Sequence, residues 1–251
     1  MRIALDEDHH VHSTVSDGRT TFAENIAAAE ALNLKRLGCV EHVREDTLWV
    51  GFYLDQLRAL QQTTQVELIV GVETRINDER GRLCLPKELP PIDRVYIADH
   101  RLPIRDQALT VGQARAALAD GSLTERRVIE ALMVSTERAL KRCPGAVIAH
   151  LCSFLPKVGL SERAIGHGAV YRLAQVAKQT GAILEVDERW ACPSVSVVGV
   201  FLNAGVPVVA SSDAHHAKDI GQYTYVTQLA QAFERGSSER QDAGTACLSS
   251  C

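Results

Sequence analysis

Seven short apolar runs, alternating with longer amphipathic stretches, most restrict the folds open to this chain. The runs are Ile3–His10, Arg36–Glu41, Leu68–Glu73, Arg94–Asp99, Ala146–His150, Ala182–Val186 and Pro207–Ser211. Between them, helical spacing marks Thr21–Leu32, Phe52–Gln62, Val111–Ala119, Leu123–Arg142, Glu162–Gln179 and Ser196–Ala204. In the first of these, Thr20 or Thr21 can cap, and Glu24 would complete a capping box. Short strands separated by helices imply parallel pairing with crossover connections. Seven such units suit a closed or nearly closed barrel better than an open sheet, although periodicity alone does not decide between them. A length of 251 residues suits one domain of that kind. The stretch Arg75–Pro86, with Asn77-Asp78 and Gly81, reads as a hairpin-like excursion after the third run. From Gly236 onward the apolar pattern is lost, so the expected division is a catalytic domain over 1–235 and a disordered tail over 236–251.

The apolar runs end in an uncommon way. The first closes on Asp8-His9-His10-Val11-His12, followed by Ser13-Thr14-Val15-Ser16-Asp17-Gly18. The others close on Glu41-His42, Gly71-Val72-Glu73, Asp99-His100, His150, Glu185-Val186-Asp187-Glu188 and Ser212-Asp213-Ala214-His215-His216. Eight of the nine histidines lie in these positions, and only His167 falls in a helical stretch. In an α/β barrel all strand C-termini open on one face, where such proteins carry their sites. His10 and His12 are two apart on extended backbone, so both rings point the same way, and Asp213 with His215 repeats the geometry. Imidazole nitrogens combined with carboxylate oxygens suit Zn²⁺, Mn²⁺ or Fe²⁺ rather than the all-oxygen cages of Ca²⁺ or Mg²⁺. Glu73 comes from a separate strand and could bridge two ions. Crowded carboxylates repel unless cations neutralise them. Each element also has a plain reading: an incidental His-x-His, Glu41-His42 as a surface pair, His150 as a hydrogen-bonded core histidine. Histidine or acid at every strand end defeats those readings jointly and points to a metal site.

Bulk composition narrows the classes further. Net charge is −4, which disfavours a dedicated nucleic-acid binder with a basic face. The N-terminus lacks the apolar core of a signal peptide, and no apolar run reaches transmembrane length, so a cytoplasmic protein with no membrane partner is expected. Seven cysteines, at 39, 84, 143, 152, 192, 247 and 251, form no CxxC pair, and their odd number argues against a disulfide framework. Cys247 and Cys251 sit in the polar tail and are expected to be exposed.

The ordered series resembles the polymerase and histidinol phosphatase (PHP) family: Asp8-x-His10-x-His12, Ser16-Asp17-Gly18, Glu41-His42, Gly71-Val72-Glu73, Asp99-His100, Ile148-Ala149-His150 and Ser212-Asp213-Ala214-His215. The likeness runs in order from about residue 6 to residue 216. It implies a single-domain, distorted (βα)7 TIM-like barrel of the amidohydrolase group, with two or three divalent metal ions (zinc, manganese or iron). By the same likeness His10, His12, Glu73 and Asp213 would hold one ion, Glu73 would bridge to a second held by His100 and His150, and Asp17, His42 and His215 would hold a third. Asp213, His215 and Glu73 are expected to serve catalysis as well. The chain departs from the family pattern at His9 (usually aliphatic), Glu41 (commonly Asp), Asp99 (often small) and Asp187 (often Asn). His9 could face the barrel wall or support the ligands. Asp99 could orient an imidazole or point into the barrel core.

The expected reaction is hydrolysis of a phosphate monoester of a small metabolite, histidinol phosphate-like or a nucleotide, by a metal-bridging hydroxide without a covalent intermediate. Divalent ions lower the pKa of bound water to about 7 and neutralise phosphoryl charge. Arg44 and Arg101, beside His42 and His100, are the candidate phosphate contacts, because a planar guanidinium matches phosphate oxygens bidentately. Their plain reading is solvation, or salt bridges to Glu45 and Asp106. Lys157, Arg189 and His216 are weaker candidates. Trp49 and Trp190 could pack on an organic moiety, though core packing is the more usual fate of such residues. A nuclease or phosphodiesterase is the alternative, but it would need a basic track with interleaved aromatics. Net charge −4 and 12 aromatic residues tell against that. A C–N or C–O hydrolase would leave Arg44 and Arg101 dispensable.

Overall fold

A computed structural model describes residues 3–235. The tail expected over 236–251, with Cys247 and Cys251, lies outside the described residues. In chain order the elements are β1 (Glu7–Val11), α1 (Phe22–Ala31), β2 (Arg36–His42), α2 (Val50–Gln61), β3 (Glu67–Arg75), β4 (Arg94–Ala98), β5 (Leu102–Ile104) and β6 (Gln107–Leu109). There follow α3 (Val111–Ala119), α4 (Glu125–Arg142), β7 (Val147–Ala149), α5 (Phe154–Lys157), α6 (His167–Thr180), β8 (Ile183–Asp187), α7 (Val195–Ala204) and β9 (Val208–Ser211). A last helix covers 225–235.

Seven strands pair in parallel in the order β1-β2-β3-β4-β7-β8-β9. The ring is drawn shut where Val11 bridges Ala214 and the His12 amide donates to the Ala214 carbonyl at 2.9 Å. The fold is therefore the nearly closed, seven-stranded (βα) barrel expected. It is distorted after β3, where no helix crosses over. The chain instead folds back on itself, with Ile76 bridging Leu83 and the Asn77 amide donating to the Arg82 carbonyl at 2.7 Å. This is the excursion anticipated over Arg75–Pro86.

Local chemistry explains the helix starts. Thr21 rather than Thr20 caps α1, and its reciprocal bond with Glu24 forms the capping box. Thr110 with Gln113 does the same for α3. Among the differences from the sequence reading are two boundaries and one whole helix. β1 begins at Glu7 rather than Ile3, because its partner β2 starts only at Arg36, after the left-handed turn at Asn33, and pairing starts with Glu7 opposite Arg36. The Glu162–Gln179 stretch is split into a 3-10 turn over Glu162–Ala164 and α6, with Gly166 at the cap of the latter. The 225–235 helix was not anticipated. Its first amides are capped from far away, since the Glu188 carboxylate accepts from the Tyr225 and Val226 amides at 3.0 Å each.

Apolar packing forms two outer cores between helices and sheet, and a small inner cluster of Val40, Tyr96, Ala98, Val147 and Ala149 inside the barrel. The inner space is tight near β1. A β-bulge shifts the β1–β2 register between Asp8 and Val11, which turns the local side chains. A Cβ on Gly38 would stand 2.0 Å from the His9 carbonyl oxygen, so only glycine fits beneath the bulge. Asp8 anchors the same strand by accepting from the Ser212 and Gly221 amides, at 2.9 Å each.

Candidate metal centre

Loops and strand ends of β1, β2, β3, β4, β7 and β9 carry all nine predicted ligand residues to one face, around Glu73. The Glu73 carboxylate is 1% exposed. Its Oε1 lies 2.9 Å from His150 Nε2 and 3.1 Å from His100 Nε2. Its Oε2 lies 2.7 Å from His42 Nδ1, 3.5 Å from His12 Nε2 and 3.7 Å from His10 Nε2. Asp17 stands between His42 and His215, with contacts of 3.3 and 3.4 Å. Asp213 Oδ1 lies 3.2 Å from His12 Nε2. Ligand atoms within 4.8 Å of one another form three groups: His10-His12-Glu73, His42-Glu73-His100, and His12-Asp17-His42-His215. His12 and His42 each belong to two groups, so the partition is more interlocked than the resemblance implies.

The donor set fits divalent cations on its own terms. Nε2 of His10 and Nε2 of His12 face each other at 3.0 Å in a fully buried setting. Among the described residues, buried Nδ1 of His12 and Oε2 of Glu73 make no well-aligned hydrogen bond, although His42 Nδ1 approaches the latter closely. Buried polar atoms are rarely left unpaired, because desolvation without a partner costs about 1–3 kcal/mol each. Here several lone pairs converge where a cation would satisfy them together.

Protonation follows the same logic. Burial penalises the Glu73 carboxylate, but His100, His10 and His42 outweigh it and hold its pKa well below the usual range. Asp213 and Asp17 are likewise held low against burial, by His12 and by His215 with His42 respectively. His12 is depressed to about 4 by burial and by neighbouring His10, so it is a neutral donor at pH 7. His10, His42 and His150 are disfavoured as cations by burial, yet surrounding carboxylates push each pKa up. The cluster thus balances its negative charge with protons, the role a divalent ion takes when ligands deprotonate.

Supporting residues hold the candidate ligands still. Glu185 is fully buried; its Oε2 lies 2.9 Å from His10 Nδ1, and its Oε1 accepts the His150 amide at 3.1 Å. That leaves His10 Nε2 pointed at the cluster. Asp99 does not enter the barrel core. It accepts from Ser153 Oγ at 2.5 Å and lies 3.4 Å from His150 Nδ1, so it orients that ring. Glu41 is buried, not a surface residue. It accepts the Ser13 amide at 2.8 Å and the Ser13 hydroxyl at 2.5 Å, and also the Ser16 hydroxyl, which fixes the loop carrying Asp17. His150 and Asp213 have φ of 31° and 48°, left-handed conformations that non-glycine residues rarely adopt and that gather at functional sites.

His9 plays no part in the cluster. Its ring pairs with Glu7 Oε2 at 2.8 Å, and together with Arg36 and Arg94 it lines a cavity near the strand starts. Trp49 takes the core reading, edge-on to Tyr53 at 5.8 Å. Trp190 does not: its Nε1 donates to Asp213 Oδ2 at 3.0 Å, and Lys157 Nζ lies 3.6 Å over its ring. Sequence spacing carries no signal for that contact. Arg44 is exposed and Arg101 half-buried. Neither takes the alternative partner, since Glu45 accepts from Asn77 at 2.8 Å and Asp106 pairs with Arg80 at 3.4 Å.

Comparison with known proteins gives a consistent picture. No protein-family profile matches the chain. A protein of Caldanaerobacter subterraneus subsp. tengcongensis, named as a probable phosphatase, is 23% identical over 244 residues, covering 91% of this chain and 84% of that protein. Histidinol phosphate phosphatase from Lactococcus lactis subsp. lactis, solved with zinc, L-histidinol and phosphate, superposes with a TM-score of 0.67 at 16% identity, covering 89% of this chain and 93% of that one. A Listeria monocytogenes protein assigned as a histidinol phosphatase gives 0.64 at 14% identity, with 86% and 97% covered. The chain has the fold of these phosphatases and carries, in order along its strands, the motif series of the polymerase and histidinol phosphatase family.

Proposed function

We propose that the protein is a metal-dependent phosphatase that hydrolyses monoesters of small phosphorylated metabolites. The observation that carries this is the Glu73 carboxylate, buried and approached by five imidazoles, with one oxygen making no well-aligned hydrogen bond among the described residues. His10, His12, Glu73 and Asp213 would hold one ion, Glu73, His100 and His150 a second, and Asp17, His42 and His215 a third; zinc, manganese and iron suit these donors. Bound, such ions supply a water acidified to about pKa 7 and positive charge for the phosphoryl oxygens.

The remaining work falls to the chain's own residues. Glu185 and Asp99 keep His10 and His150 in single orientations. Asp213 stays ionised, steadied by the Trp190 indole N–H. Arg44 and Arg101, with no carboxylate partner among the described residues, offer bidentate donors to the phosphate. The fold of the solved phosphatases and the relative's name support the same reaction class. Among the described residues no helix is long and apolar enough to cross a membrane.

The test is a metal analysis paired with a substrate panel. Purified protein should carry more than trace transition metal and release phosphate from small monoesters, and loss of both His10 and His12 to alanine should abolish turnover. Metal-free protein that stays inactive on every ester after Zn²⁺ or Mn²⁺ is added would refute the proposal, as would cleavage of single-stranded oligonucleotides in preference.

A further inference from the structure

We propose that the cleft beside Asp17 and His215 is a leaving-group subsite, and that it selects phosphate esters whose leaving group carries a second anionic group. The inference rests on the phosphatase reading above. The cleft measures 630 Å³ and is walled on one side by Asp17, Asp213 and His215 themselves. Sites of about 300–1,000 Å³ accommodate small organic ligands, so there is room beyond a phosphate for the rest of an ester.

Its lining holds three cations and four carboxylates, two of the latter belonging to the histidine cluster. Arg19, Arg189 and Lys218 line the cleft. Among the described residues, neither Arg19 nor Lys218 pairs with a carboxylate. Arg189 Nη1 donates to the Asp213 carbonyl at 3.2 Å, lies 3.8 Å from Asp213 Oδ2 and contacts His215 Nδ1, while its other nitrogens stay free to meet a ligand. The acids in the lining are mostly committed. Asp17 and Asp213 face the histidine cluster. Both Glu188 oxygens accept backbone amides, of Tyr225 and Val226. With Asp17 and Asp213 engaged by the cluster, Glu188 and Asp219 stand against Arg19, Arg189 and Lys218.

A leaving group bearing an ammonium would be repelled here, whereas a carboxylate or second phosphate meets complementary charge. Such like-charge juxtaposition is how sites reject wrong ligands. The chain therefore differs in substrate class from a phosphatase of amino-alcohol esters, even on the same barrel.

Phosphoglycolate and phosphoethanolamine are similar in size and opposite in leaving-group charge, which makes them the test pair. With the metal-loaded enzyme, kcat/KM for phosphoglycolate should exceed that for phosphoethanolamine by at least about tenfold, equivalent to about 1.4 kcal/mol. The ratio should shrink as salt rises, because the cleft is open to solvent. Arg19→Glu with Lys218→Glu should collapse or invert it, and the milder Lys218→Gln should lower it should the double variant fold poorly. Calorimetry with carboxyethylphosphonate and aminoethylphosphonate, which are not hydrolysed, should give the same order of binding. Equal or better turnover of phosphoethanolamine, or a ratio unmoved by the charge reversals, overturns the subsite while leaving the phosphatase reading intact. Preferred binding of the carboxylate phosphonate without hydrolysis of any ester would overturn the reaction and not the subsite.

Discussion

Glu185 is the sharpest place to probe how the barrel supports the candidate metal centre, because it touches no predicted phosphate contact and yet holds two candidate ligand residues. Its Oε2 lies 2.9 Å from His10 Nδ1 and its Oε1 accepts the His150 amide at 3.1 Å, both fully buried. Glu185→Ala removes both acceptors. The freed His10 ring can then rotate or change tautomer, and loss of such a support typically costs about 10–100-fold in metal affinity, or about 1.4–2.7 kcal/mol. The His150 amide is also left without its partner, at a cost of about 1–3 kcal/mol to folding. In a domain of this size that corresponds to a fall in Tm of roughly 2–12 °C, at about 2–4 °C per kcal/mol. Glu185→Gln keeps one acceptor and should sit between wild type and alanine. Competition against a chelator reads the first quantity and thermal unfolding of metal-free protein the second. Chelator competition unchanged in Glu185→Ala would show that His10 does not depend on this contact, and the account of the supporting residues would be wrong.

Other outcomes follow from the same geometry. Removing metal with a chelator should lower Tm by several degrees, since a ligand at 100 times its Kd stabilises by about 2.7 kcal/mol; an unchanged melting curve would contradict a bound cluster. Arg101→Ala should cut kcat/KM on phosphate esters by roughly tenfold or more, as expected for a lost charged hydrogen bond of about 1.5–3 kcal/mol, with metal content unchanged. Unaltered kinetics would remove Arg101 from the phosphate site. Gly38→Ala places a Cβ 2.0 Å from the His9 carbonyl oxygen and should prevent soluble expression or strongly lower Tm. A normally stable variant would mean that β1 has freedom to move away from β2.

What could be read from the sequence, and what could not, divides along one physical line. Residues whose identity is dictated by chemistry at a strand end were visible, because a parallel barrel gathers every such end on one face and because nitrogen and carboxylate donors have few reasons to recur there together. His10, His12, His42, Glu73, His100, His150, Asp213 and His215 needed only the order of strands to be placed. Residues that act through distant contacts left no such mark. Glu41 reads as the first half of Glu41-His42, yet its work is to hold Ser13 and Ser16, 28 and 25 positions away. Glu188 caps a helix 37 residues on, a contact that sequence spacing does not mark. Trp190 looked like a core aromatic until closure of the ring of strands set it against Asp213, 23 residues along. The β1 bulge belongs to this second class too. Alternation alone would put His9 and Val11 on one face, but the bulge and the glycine beneath it separate them, Val11 joining an outer core and His9 turning to Glu7. A barrel of this type thus marks its candidate ligands locally, whereas the residues around its cleft are brought together only by tertiary contacts. That is why charge around the cleft, rather than any motif, is the observable that should distinguish its substrate from those of other proteins with the same ligand series.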